Sequence, residues 1–119
     1  MGTEQSRRGK SARNKGQRGE RLLRDIFNFH GYETRRGDCF RHESDVVGLP
    51  GIHVEVKFQE HLNLREAMEQ AIEEAERKDG GIPTVFHKKS RQPFLVTMRI
   101  DDWMELYKAW EESKRNGGT

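Results

Sequence analysis

The stretch SDVVGLPGIHVEVKF, residues 44–58, decides how the rest of the chain is read. From residue 52 onward it alternates: Ile52, Val54, Val56 and Phe58 are apolar, while His53, Glu55, Lys57 and Gln59 are polar. A period of two marks a strand with one buried face. Glu55 and Lys57 therefore project from the same side. Asp45, Val46 and Val47 make a shorter strand candidate upstream. Leu49, Pro50 and Gly51 between them are turn residues, Pro because it presets φ and Gly because it accepts a positive φ.

A three-residue loop with Gly51 in the left-handed region pairs Gly48 with Ile52 and sets Asp45 opposite Glu55. Opposed residues share a face, with Cβ atoms roughly 5 Å apart. Two bare carboxylates so placed repel, and a divalent cation held by oxygen ligands would neutralise them. A four-residue loop instead sets Asp45 opposite Val54 and parts the carboxylates. The bland alternative for Glu55 and Lys57 is a solvated strand face.

The 119 residues suffice for one small domain. Hydrophobic residues make up 32% and charged ones 35%, so the core is modest and the surface heavily charged. No apolar run approaches a membrane span and no signal-peptide pattern opens the chain. The single cysteine, Cys39, excludes an internal disulfide and fits a reducing compartment. With five scattered histidines it shows no paired ligand spacing for a structural zinc.

The net charge of +2 hides an asymmetry. Arg7, Arg8, Lys10, Arg13, Lys15, Arg18, Arg21 and Arg24 crowd the start of the chain, against only Glu4 and Glu20. A basic end of this kind points to a polyanion such as nucleic acid. Residues 1–16 lack an apolar period and read as a flexible basic arm. The folded domain is expected over 17–114, with 115–119 a frayed tail.

Within that domain Leu22, Leu23, Ile26, Phe27 and His30 recur at helical spacing from about Gln17, and Gly31 stops the helix. A short strand over 32–36 and a mixed-charge loop over 37–43 lead into the quoted stretch. Residues 62–78 read as the next helix, with Asn63 and Glu66 forming a capping-box-like start. Leu64, Met68, Ala71, Ile72 and Ala75 make its apolar stripe. Strands over 82–87 and 94–98 flank a basic turn, Lys88 to Pro93. A last helix begins at a cap on Asp101 or Asp102 and carries Trp103, Leu106, Tyr107 and Trp110 on one face, which suits packing on the core or on a partner subunit. The order predicts an α/β fold: a single domain with a central mixed sheet flanked by helices.

Asp45 followed by Glu55-Val56-Lys57 in this order of elements resembles the PD-(D/E)XK nuclease superfamily. Ser44 stands where that pattern often has Pro. Lys15 to Leu23, with its Lys-Gly run and the acid Glu20, is similar to the opening of archaeal-type and phage-encoded Holliday junction resolvases, as is Gly31-Tyr32 followed by Arg35-Arg36. The resemblance covers roughly residues 15–87. It implies a restriction-endonuclease-like αβββαβ core, to which the last strand and helix are additions. One departure is the loop over 37–43, which offers no clear counterpart of the resolvases' serine.

The resemblance implies a Mg2+-dependent DNA endonuclease, with Mn2+ as a substitute ion. Asp45, Glu55, the Val56 backbone carbonyl and Glu20 would ligate the metal. Lys57 would position the attacking water and stabilise phosphate charge. Arg7, Arg8, Lys10, Arg13, Lys15, Arg18 and Arg36 would hold DNA through phosphate contacts, which position without reading sequence. Gln70 on the second helix and His53 beside Glu55 are further candidates; His42 and His61 are more simply surface or packing residues. The partner implied is branched DNA, a four-way junction above all, met by a homodimer in the cytoplasm of a cell or of a phage-infected host, with no membrane involved. A nuclease of the same superfamily acting on another DNA, for repair or restriction, is the nearest alternative. A non-catalytic nucleic-acid-binding protein is the alternative of a different class.

Overall fold

A computed structural model describes residues 4–41, 43–78 and 80–117. The elements run α1 (Glu4–Phe29), β1 (Arg35–Arg36), a 3-10 turn (Cys39–Arg41), β2 (Val46–Val47), β3 (Ile52–Phe58), α2 (Leu64–Arg77), β4 (Ile82–Lys88), β5 (Leu95–Thr97) and α3 (Ile100–Arg115). The expected α/β order is present.

Two helices clamp the central strands. Strand β3 runs parallel to β4, with Glu55 beside Val85, and β4 pairs antiparallel with β5. On one side Leu23 and Phe27 of α1 pack with Val46, Val54, Val56 and Phe86. The rings of Phe27 and Phe86 meet edge to face, 5.3 Å between centroids. Gly19 is the point of closest approach: a Cβ there would lie 3.0 Å from the Phe58 Cβ. On the other side Ala67 and Ala71 of α2 pack on Val85. Small side chains let α2 lie close to the sheet, and the stripe it buries is Ala67, Ala71 and Ala75, displaced from the expected one toward the alanines. Asn63 caps α2 as expected, its side chain accepting from the Glu66 N–H at 3.1 Å.

The basic arm is the first correction. Helix α1 extends back to Glu4, so the portion of 1–16 within the described residues is helical. Met1 to Thr3 lie outside them. The missing apolar period does not preclude a helix here. Once the later turns are fixed against the sheet, each further residue adds one hydrogen bond without a new nucleation cost. Gly9 and Gly16 each cost about 1 kcal/mol relative to Ala, and no proline intervenes.

The hairpin is the second correction. Strand β2 pairs not with β3 but antiparallel with β1, Arg35 beside Val47 and Arg36 beside Val46. The sheet is thus two ladders, β1-β2 and β3-β4-β5. Gly51 does take the left-handed conformation (φ 79°), and the turn closes with the Ile52 N–H donating to the Leu49 carbonyl at 3.3 Å. Asp45 lies at a bend ahead of β2. Its N–H donates to Val54 at 2.9 Å, and its carbonyl accepts from Gly37 at 2.9 Å. With its backbone shared between the two ladders, Asp45 is not bound by either alternation.

The third correction concerns α3. Arg99, not an aspartate, occupies its N-cap, and Asp102 pairs back to the Arg99 Nε at 3.0 Å. None of its residues is buried, so the aromatic face does not pack on the core. Trp103 and Tyr107 stack at 5.2 Å, and both stay exposed with Leu106 and Trp110. The helix runs to Arg115, one residue into the expected tail, whose last two residues lie outside the described ones.

Candidate active site

The polar face of β3 is turned to α2 rather than to water. His53 is 0% exposed and Glu55 4%. Because β3 is covered on both faces, the solvated-face alternative for Glu55 does not hold. A carboxylate taken out of water resists ionisation. Burial, with the charges of Asp45 and Glu74 adding to it, pushes Glu55 up to about 8.

Asp45 reaches the same place from the bend. Its carboxylate accepts the Val56 N–H at 2.8 Å, a bond within the motif itself. Burial pushes Asp45 up to about 6, against the opposing pull of that hydrogen bond, and the nearby Glu20 charge adds to the rise. The two carboxylates thus converge although the predicted β2-β3 ladder is absent.

Lys57 follows Glu55 on the same face, its Nζ 3.5 Å from Glu55 Oε1. It also donates to Gln70 Oε1 at 3.2 Å, and the Gln70 amide donates to Glu74 Oε1 at 3.3 Å. The chain from Lys57 through Gln70 to Glu74 ties the strand to α2. Glu74 has no counterpart among the sequence candidates. A signal for it existed, since Glu74 stands four residues after Gln70 and so on the same helix face. Against the upward pull of partial burial, hydrogen bonds from Gln70 and Glu55 hold the Glu74 carboxyl below its ordinary range. His53 points its Nε2 at Glu74 Oε2, 3.6 Å away.

Glu20 comes from α1, close enough to Asp45 for its charge to be felt there. Arg36 holds it, the guanidinium Nε and Nη2 donating to Glu20 Oε1 at 3.1 and 3.0 Å. Arg36 is therefore engaged within the site as well as being a candidate DNA contact. His61 is exposed at the exit of β3, and His42 lies outside the described residues.

The other basic candidates lie along α1. Arg7, Lys10, Lys15 and Arg18 share one helical face with Ser11, Asn14 and Arg21, and with Ser90 they line a concavity of about 570 Å3. Arg8 and Arg13 are exposed on the same helix but do not line it. Phe58 anchors the base of this surface, with Lys15, Arg18 and Lys88 over its ring at 4.8, 5.1 and 4.2 Å. Glu60 accepts from both Lys15 and the Ser90 N–H at 2.9 Å, fixing the basic β4-β5 turn against α1.

No protein-family model and no curated protein matches the chain. Among solved structures it is similar to Hjc, a Holliday junction resolvase from the archaeal hyperthermophile Archaeoglobus fulgidus. The TM-score is 0.55 and the identity 28%, over 71% of this chain and 72% of that one. With the element order above, this likeness supports the resemblance to PD-(D/E)XK-like resolvases of the archaeal type.

Proposed function

We propose that the chain is a metal-dependent DNA endonuclease that hydrolyses phosphodiester bonds in branched DNA, four-way junctions above all. The observation that supports it most is the meeting of Asp45, Glu55 and Lys57, with the Asp45 carboxylate bonded to the backbone between the other two. The donor set fits a divalent cation. Asp45 and Glu55 offer oxygen ligands, and burial, with neighbouring negative charge adding to it, pushes both above the ordinary carboxylate range. The Val56 carbonyl and Glu20 are the further ligands we assign. When bound, Mg2+, or Mn2+ in its place, would supply Lewis acidity and neutralise phosphate charge.

The chain's own residues do the rest. Lys57 orients a water for attack on phosphorus and stabilises the charge that develops on the phosphoryl oxygens. Gln70 holds the Lys57 ammonium in place. The P–O bond to the leaving nucleotide breaks as the bond to water forms. Arg36 keeps Glu20 beside Asp45. Arg7, Arg8, Lys10, Arg13, Lys15 and Arg18 give phosphate contacts that favour DNA shape over sequence. The exposed face of Trp103, Tyr107 and Trp110 supports a homodimer, which would set two such sites on opposed strands. Such an enzyme would work in the cytoplasm, where cellular or phage DNA is found.

The test is cleavage of a synthetic four-way junction beside duplex, flap and single-stranded controls, with Mg2+ and with Asp45→Asn as the blank. Paired symmetric nicks confined to the junction are expected. Cutting of every substrate without preference would retain the nuclease and discard the junction selectivity. Binding without cutting in Mg2+ or Mn2+ would replace the enzyme with a binding protein.

A further inference from the structure

Around Glu55, between β3 and α2, a second group of ligands converges. His53, Glu55 and Glu74 each offer one donor atom, and all three atoms lie within 4.8 Å of one another. His53 and Glu55 are buried on the strand, and Glu74 is half-buried on the helix facing them. We propose that these residues form a binding site for a tetrahedral transition cation, Zn2+ or its analogue Co2+, distinct from the Asp45 position but sharing Glu55 with it.

Ligand type favours this class of ion. Imidazole suits zinc and its neighbours, whereas Mg2+ prefers carboxylate, carbonyl and water. Spacing favours it too. Tetrahedral zinc with bonds near 2.1 Å sets its ligands about 3.4 Å apart. Octahedral magnesium at a similar bond length sets neighbours about 2.9 Å apart. His53 Nε2 and Glu74 Oε2 are separated by 3.6 Å, nearer the first figure. Magnesium also keeps several waters, and a histidine with no exposed surface leaves them little room. Three protein ligands with a fourth position for water or a ligand is a common zinc arrangement.

The surroundings hold the ligands in place. Gln70 donates to the other Glu74 oxygen at 3.3 Å, and Lys78 stands 3.9 Å from Glu74 Oε2. Outer contacts of this kind orient metal-binding side chains. Residues 53, 55 and 74 come from a strand and a helix, so no short spacing in the sequence announces them. Sharing Glu55 has a consequence: zinc here and a cation on the Asp45 side compete for one carboxylate. The binding inference stands on the buried cluster alone and does not require that the chain cut DNA.

The experiment is titration of the full-length chain with Co2+, followed by visible absorption and by displacement with Zn2+. The expected result is one equivalent of Co2+ giving the intense bands of tetrahedral coordination, lost on adding zinc. Glu74→Gln and His53→Gln should each weaken binding more than about tenfold, since even outer-shell changes at metal sites cost about 10–100-fold. Asp45→Asn should leave the spectrum in place, whatever it does to cleavage, which separates this site from the nuclease proposal. If His53→Gln fails to fold, Glu74→Gln, at a half-buried helix position, decides the matter alone. A weak octahedral spectrum would overturn the proposal. So would tight binding that survives Glu74→Gln, the pattern expected of metal caught by exposed Cys39 or His61. Equal loss in Asp45→Asn would assign the ion to the Asp45 pair and also overturn it.

Discussion

Asp45 is bonded through its carboxylate to the backbone N–H of Val56, at 2.8 Å, so the first acid of the motif is latched to the strand bearing the second. The latch links chemistry to folding. Asp45→Asn keeps an oxygen acceptor for the Val56 N–H and should fold, but it loses the charge that a cation requires. Asp45→Ala should lose about 1–3 kcal/mol of stability as well, the cost of leaving a buried donor unsatisfied. Thermal unfolding of the two variants beside a junction-cleavage assay measures both effects.

Lys57 is placed by Glu55 on one side and Gln70 on the other. Lys57→Ala should lower the cleavage rate by about 10²–10³, typical of removing one charge-stabilising donor, with DNA affinity largely kept. Gln70→Ala should give a smaller loss by freeing the ammonium to wander. Single-turnover kinetics with saturating DNA separate these effects from binding.

The raised carboxyl groups fix the sign of a pH effect. Without metal, Glu55 (about 8) and Asp45 (about 6) keep protons that the unfolded chain has released above its ordinary carboxylate range. Between about pH 4.5 and 8 the native state therefore binds more protons, and stability falls as pH rises. Mg2+ or Mn2+ should reverse this by favouring the ionised pair. Melting curves at pH 5, 7 and 8.5, with and without metal, should show the metal's stabilisation growing with pH. An equal shift at all three would contradict the linkage.

Leu23 is buried at the α1-β3 interface with Phe27, Val54 and Val56. Leu23→Ala should cost about 2–5 kcal/mol. Asn63→Ala, by removing the cap on α2, should cost about 1 kcal/mol. Denaturant unfolding gives both values.

The basic face of α1 predicts a salt signature. Replacing Arg7, Lys10 and Arg18 together should flatten the slope of log affinity against log salt, by up to about 0.9 for each phosphate no longer neutralised. The dependence on DNA sequence should not change. Binding titrations at several salt concentrations test it, and an unaltered slope would remove this face from the DNA surface.

The sequence brings the candidate site residues together more fully than it reveals their scaffolding. The alternation over 52–59 identifies β3 and the common side of Glu55 and Lys57, because strand geometry makes that side a local property. Asn63 and Glu66 locate the start of α2 for the same reason: a cap is satisfied within one turn. Strand pairing is not local. Nothing in the loop over 49–51 reveals that β1 competes for β2, so the hairpin reading assigns the wrong ladder while still bringing Asp45 to Glu55. Glu74 escapes such a reading because its place beside His53 and Glu55 comes from the packing of α2 on β3, through alanines that carry little sequence signal. The first turns of α1 escape it because hydropathy reports burial, and an exposed helix has none to report.

Helix α1 spans 26 residues, about 39 Å at 1.5 Å per residue, yet among the described residues its buried positions, Gly19, Leu23 and Phe27, all lie in its second half. Mechanically it is a lever, seated where Gly19 bears on Phe58. Glu20 sits one residue beyond that fulcrum, and Lys10 about 14 Å from it toward the N-terminus. A load applied to the N-terminal end of α1 is a torque on Glu20 and on the Arg36 that holds it, so the basic face and Glu20 are joined by a single rod.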